Sequence, residues 1–295
     1  MSKEPTILFC VGATKSGTSW LFDYLADHPE CHVRSIKELH YFDTLESKAF
    51  RQQLVVQRNQ MARLRDRLGV AKGAQHRRAA DKMQDVLDWH KVLKERAENT
   101  ANYLGYLTWG MDRHSLVADV TPAYALLPIK RLKQMARLSK ETRFIYVMRD
   151  PVARLWSHVR MLSRRVCDSA DALASTCNVM MERVLQGQKS SMTERGDYEG
   201  AIRRLNAAVD PAKLLIMFME ELLTPAGVAR VCAFLNIDYK AANFAQPVHV
   251  GVSVAMSPEH RDRARAYLRP QYEFVARHFS DLPENWRRNM GEARL

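Results

Sequence analysis

Apolar positions along the chain follow two rhythms. Unbroken runs at Ile7–Val11, Arg143–Met148 and Lys213–Met219 are too apolar for strands with one face in water, and they predict buried parallel strands. Shorter strands are predicted at Glu30–Val33 and from Leu116 to Val120, the latter running into Thr121-Pro122. Between the strands, apolar residues recur at helical spacing. Leu21, Tyr24 and Leu25 mark a helix over about Thr18–Asp27 that stops before His28-Pro29. Further helices are predicted at Ile129–Leu138, Cys167–Leu185, Val228–Leu235 and Arg263–His278, and from Tyr198 through Leu205. Strands alternating with helices predict an α/β fold, a central parallel sheet with helices on both faces.

Residues 46–100 break this alternation. Leu54, Met61, Leu64 and Leu68, then Met83, Val86, Leu87 and Leu93, predict two amphipathic helices broken near Gly69–Gly73. The segment holds 13 Lys and Arg against 7 Asp and Glu. It reads as a basic helical insertion within a single domain spanning 1–295. A solvated elaboration is the simplest role for it; a lid, an acceptor-binding surface or a dimer arm are the functional alternatives.

The chemistry centres on the first strand and the turn that leads out of it, ILFCVGATKSGTSWL from Ile7 to Leu21. A buried strand breaks at Gly12, passes through small polar residues with one lysine, and re-enters an apolar helix. That is the layout of an anion-gripping turn, in which glycines admit the anion and helix N-terminal amides point at it. A triphosphate loop reads G-x-x-x-x-G-K-S/T. Here Gly12 and Gly17 have that separation, but Thr18 stands at the lysine position and the lysine is Lys15, inside the loop. A second buried strand runs into Arg149-Asp150-Pro151, with Asp150 a candidate N-cap, Pro151 in the first helical turn, and Ser157 two turns further on. Arg149 then stands at the C-terminal edge of a parallel strand, where open α/β sheets bind ligands.

These segments resemble sulfotransferases that use 3′-phosphoadenosine-5′-phosphosulfate (PAPS). Thr14-Lys15-Ser16-Gly17-Thr18-Ser19-Trp20 is similar to their 5′-phosphosulfate loop, and Arg149 with Ser157 to their 3′-phosphate segment. Lys37-Glu38-Leu39-His40-Tyr41-Phe42 resembles a segment of the glycan and related bacterial enzymes whose glutamate is the proposed general base. The resemblance covers about 6–43 and 103–288, and it implies a P-loop-like sheet with the helical hairpin inserted. It implies donor contacts from Thr14, Lys15, Ser16, Gly17, Thr18, Ser19, Arg149 and Ser157, adenine stacking on Trp20, and Tyr198 at the adenine edge. Glu38 is the candidate base, with His40 its rival because imidazole has the better unperturbed pKa. Val120 departs from the pattern, since many relatives carry lysine there. The loop Pro247–Pro258 is where relatives close the 3′-phosphate site with a basic residue; this chain has Val252, leaving His249 and the Gly251–Ser253 backbone.

Composition narrows the setting. The net charge of +12 and pI near 9.6 favour anionic ligands. No nucleic-acid motif accompanies the charge. Five widely spaced cysteines suggest neither a disulfide framework nor a zinc site, and no metal is expected. MSKEPT leads straight into the first strand, and no apolar run approaches a membrane span, so a cytoplasmic setting is expected. The expected function is in-line sulfuryl transfer from PAPS to a hydroxyl or amine, releasing 3′-phosphoadenosine-5′-phosphate. The acceptor is open among lipid, glycan and small molecule, with Tyr41, Phe42, Tyr103, Tyr106 and Trp109 as candidate cleft aromatics, and a homodimer is possible. The alternatives are a kinase on the same sheet or a non-catalytic basic module that binds nucleotide or a membrane surface.

Overall fold

Side chains along β1 (Thr6–Gly12) alternate between two cores. Ile7, Phe9 and Val11 enter one, Leu8 and Cys10 the other, as a strand buried on both faces requires. The computed structural model describes residues 4–46, 50–95, 97–167, 169, 171–244 and 254–291. Around β1 stand β2 (Cys31–His32), β3 (Leu116–Val120), β4 (Thr142–Met148) and β5 (Leu214–Phe218). All neighbours pair in parallel, in the order β2-β3-β1-β4-β5.

The thinner core lies against α1 (Thr18–Ala26) and is closed by Val228, Val231 and Leu235 of a helix spanning Pro225–Leu235. The thicker core lies on the other face. It holds α5 (Thr100–Thr108), α6 (Ile129–Ala136), α7 (Pro151–Val166), α8 (Leu173–Leu185) and α10 (Tyr198–Ala208). Into it also pack α13 (Pro258–His278) and α14 (Glu284–Met290). Short α2 (Tyr41–Glu46) and α9 (Ser190–Glu194) complete the numbering around the site, α11 (Met219–Leu222) and α12 (Pro225–Leu235) come after β5, and α3 (Phe50–Val70) with α4 (Gly73–Lys94) form the hairpin.

Only Gln57 and Leu64 of α3 are buried, whereas Ala79, Asp85, Val86, Trp89 and Leu93 of α4 face the body. The hairpin is therefore anchored through α4. The break at Gly69–Gly73 agrees with the sequence reading. Two expectations are corrected. The segment Ser35–Asp43 is not all loop, because α2 begins at Tyr41. Phe42, Tyr103 and Tyr106 are buried rather than lining a cleft, while Tyr41, buried and stacked on Tyr103 at 4.6 Å between centroids, borders a cavity beside Thr44, Phe50 and Val92. Of the five, Trp109 alone is exposed. Among the described residues no helix is long and apolar enough to cross a membrane.

Candidate active site

The strand order decides where chemistry can gather. β1 and β4 are neighbours although their C-terminal loops lie far apart in sequence, and β3 and then β2 stand on the other side of β1. The loops after β1, β2, β3 and β4 thus open at one edge of the sheet, the place where such folds bind ligands.

The β1–α1 loop is shaped for close approach. A Cβ on Gly12 would come within 2.6 Å of the Tyr146 ring. Gly17 has φ +83°, and a Cβ there would meet Met219 Cγ at 3.1 Å. Gly17 is the N-cap of α1 and brings no side chain to its amides. Side-chain caps start α5, α7, α10, α12 and α13, while α4, α6, α8 and α14, like α1, begin without one. An uncapped N-terminus leaves N–H donors and the positive end of the helix dipole to an anion. Ser16 is fully buried with its Oγ lacking any hydrogen-bond partner, a polar atom still to be satisfied. Thr14, Lys15 and Ser19 are half-buried, and Thr18 is buried at the start of α1.

Arg149 reaches the same loop, its Nη1 donating to Lys15 O at 3.3 Å. Asp150 caps α7 through Ala153 N at 2.8 Å, as the sequence suggested, and also accepts from Tyr272 (2.6 Å) and Asn289 (2.9 Å). The C-terminal helices thereby lock the end of β4. Tyr198 is fully buried, and its hydroxyl bonds the Arg149 carbonyl and amide. It holds the backbone of Arg149 and offers no face to a ligand. Ser157 is half-buried two turns along α7. Trp20 is half-buried, with rings of Tyr24 and Phe244 stacked at 5.7 Å each.

The charge at this edge is lopsided. Burial, then Arg149, Lys37 and Arg160, push the Lys15 amine below its ordinary value. Burial lowers Arg149 too, with Arg160 adding to it. His158 is buried and is pushed down to about 3 by burial and by Arg154, Arg195 and Lys15. Arg195 donates to Thr14 Oγ1 at 3.3 Å. Cations converge on the loop.

Glu38 enters from the β2 side, its amide bonded to Val120 O at 3.1 Å. Its carboxylate pairs with Lys37 Nζ at 2.8 Å and faces His40 Nε2 at 3.5 Å. His40 Nδ1 donates to Asp43 Oδ2 at 2.7 Å. Burial alone would raise the Glu38 carboxyl, but the His40 hydrogen bond and the Lys37 charge outweigh it and hold the group well below the usual carboxylate range. Burial alone would lower His40, but Asp43 and Glu38 raise it to about 9. At neutral pH Glu38 is ionised and His40 protonated. Among the described residues, four non-glycine residues have positive φ: Lys15 (73°), Glu38 (64°), His40 (55°) and Asn236 (55°). Asn236 ends α12, a common use of that conformation. The other three are the candidate catalytic residues, and backbone strain of this kind gathers where function requires it.

Sequence reasoning gave no role to Lys37, Asp43, Arg160 or Arg195. Lys37 adjoins the motif glutamate, and Asp43 stands three residues after His40, a signal visible only once α2 is placed. Val120 is buried in the thinner core, so no cation comes from that position. His249, Val252 and Gly251–Ser253 lie outside the described residues. Among the described residues no group of His, Cys, Asp and Glu is arranged to hold a metal.

A family model described as the sulfotransferase family matches residues 5–241. A solved sulfotransferase from Alicyclobacillus acidocaldarius is similar in structure, with TM-score 0.61 and 19% identity, over 97% of this chain and 99% of that one. At that identity the likeness speaks for the fold. A sulfotransferase domain from the curacin biosynthetic pathway matches more loosely (TM-score 0.44, 18% identity, 81% of this chain and 76% of that one). So does one from the olefin synthase of Synechococcus PCC 7002 (TM-score 0.42, 15% identity, 95% and 97%). No curated protein sequence matches the chain.

Proposed function

Because this chain belongs to the sulfotransferase family, we propose that it transfers a sulfuryl group from PAPS to a hydroxyl or amine acceptor. The observation that carries this reading is the convergence of Lys15, Arg149, Arg160 and Arg195 on one uncapped helix N-terminus, with a strained, ionised glutamate beside them. The orphaned Ser16 hydroxyl fits a bound anion as well.

When bound, the donor supplies the electrophilic sulfuryl group and leaves as 3′-phosphoadenosine-5′-phosphate. The loop amides and Lys15 hold its phosphosulfate end and stabilise charge that develops there, already oriented before reaction. Arg149 and Ser157 hold the 3′-phosphate, Arg149 with a planar fork suited to it. Trp20 contributes an aromatic surface beside the loop.

Glu38 accepts the acceptor's proton as the new bond to sulfur forms. His40 is unsuited to that role, since it already carries a proton at neutral pH. Its part is to orient Glu38, with Asp43 behind it and Lys37 on the other oxygen. With 43% of its side chain exposed, Glu38 remains open to an incoming acceptor. A depressed carboxyl is a weak base, which suits a transfer governed more by positioning and charge than by base strength.

The test is a sulfate-transfer assay over hydroxyl and amine acceptors, paired with calorimetry of 3′-phosphoadenosine-5′-phosphate. Glu38→Gln is expected to lower turnover by about 10²–10⁴-fold, the range of a lost general base, with product binding retained. Near-normal turnover in that variant would remove Glu38 as base. Absence of binding to the wild-type protein would remove PAPS as donor.

A further inference from the structure

Three cations at the sheet edge, Lys15, Arg149 and Arg160, make no ion pair among the described residues, whereas Lys37 is matched to Glu38. Arg160 is the least expected of them. It stands on α7 three residues after Ser157 and seven after Ala153, so the three share one helix face. Its Nε–H is buried with no acceptor. Leaving such a donor unmet costs about 1–3 kcal/mol, more for a charged group. Arg160 also adds its charge to two cations that burial already disfavours. An arrangement this costly without a ligand is relieved by an anion.

There is room for one. Arg149 and Arg160 line a cavity of about 390 Å³ that is walled by Trp156 and Val254 and faced by Arg261 from α13. The sequence agrees: no Lys or Arg stands between Lys240 and Arg261, in the stretch that leads into α13. Positive charge for that side of the ligand has to come from elsewhere, and α7 and α13 present it.

We propose that Arg160, seconded by Arg261, is a phosphate ligand that completes the 3′-phosphate site begun by Arg149 and Ser157 and sets the preference for a 3′-phosphorylated nucleotide. The inference rests on the reading of PAPS as donor. Arg160 contributes the fork from the helix flank, and Arg261 closes the outer side.

The experiment is calorimetry on the full chain with 3′-phosphoadenosine-5′-phosphate and with 5′-AMP, together with melting curves of the ligand-free protein. Arg160→Gln should weaken the bisphosphate about tenfold or more, the worth of a charge-assisted hydrogen bond, and 5′-AMP by less than about threefold. Arg160→Lys should fall between, keeping charge but losing the fork. Arg261→Gln should show the same selectivity with a smaller loss. The ligand-free Arg160→Gln protein should melt no lower than wild type, because it loses repulsion and an orphaned donor. A lowered melting point with equal losses for both nucleotides would make Arg160 a structural residue and overturn the inference. Unchanged bisphosphate binding would overturn it too, while leaving the donor reading intact. A wild-type protein that binds no bisphosphate would overturn both.

Discussion

Asp43 shows how much a single side chain decides at this site. His40 sits between two carboxylates, and protonation satisfies both. Its folded pKa of about 9 lies above the ordinary 6.5. The stability this pairing contributes is therefore fully present below about 6.5 and lost as pH rises through about 9. Glu38 runs the opposite way: its contribution is present above the ordinary 4.5 and lost as pH falls toward its depressed folded value. The relay is intact between those limits, and activity should fall on the alkaline side near pH 9 as His40 releases Glu38. Asp43→Asn keeps the shape but removes a charge that raises His40. The alkaline limb of the pH–rate profile should move downward toward 6.5, with donor-product affinity little changed. A limb that stays in place would show that His40 does not govern Glu38. Glu38 and His40 were legible from their motif. Asp43 was not, because its reach to His40 depends on a helical turn that begins at Tyr41, in a stretch whose mixed charge and aromatics read as loop.

At the scale of elements, the hairpin gains a role from one buried carboxylate. Asp85 of α4 accepts from Arg34 Nε at 2.7 Å, from the Ser35 amide at 2.6 Å and from Tyr106 OH at 3.0 Å. The Arg34 guanidinium lies 4.5 Å over the Tyr106 ring. These bonds pin the chain three residues before Glu38, so α4 braces the loop that carries it. The helices themselves were legible from their apolar spacing. What α4 touches was not, since Asp85 looks in sequence like any solvated acid on a basic helix. Asp85→Ala would leave Arg34 charged and nearly buried, with Asp88 at 3.9 Å its remaining carboxylate and the Trp109 carbonyl its remaining acceptor. Breaking a buried pair outright costs about 3–5 kcal/mol; with Asp88 still near, the loss should fall below that, to be read as a lower urea midpoint, and turnover should fall with it as Glu38 loses its brace. Unchanged stability would mean that the hairpin is only draped on the body. The strands were the most legible elements because two-sided burial writes itself as unbroken apolar runs. The short strand β2, expected over Glu30–Val33, forms at Cys31–His32, and its length is set by pairing with β3.

For the whole molecule, topology does what no motif can. Placing β4 beside β1 brings Arg149 onto the Lys15 carbonyl across 134 residues, and α7 then carries Arg160 into the same field. The motifs in sequence pointed to two candidate ends of an anion site; the surplus of cations between them came from packing. That surplus sets the sign of the salt response. In a protein held by surface ion pairs, added salt screens attraction and lowers stability. Here the buried edge holds Lys15, Arg149 and Arg160 against one another, within a chain of net charge +12. Screening should relieve that repulsion. Between about 0.01 M and 0.1 M sodium chloride the Debye length falls from about 30 Å to about 10 Å, and the ligand-free protein should melt at a higher temperature at the upper end. Affinity for 3′-phosphoadenosine-5′-phosphate should fall over the same range, because the field that strains the empty site is the one that attracts the ligand. Chloride is the salt to use, since sulfate or phosphate would occupy the site and stabilise by binding. A melting temperature that drops with added chloride would mean that surface pairs such as Lys240–Asp27 and Arg263–Glu182 outweigh the repulsion at the sheet edge.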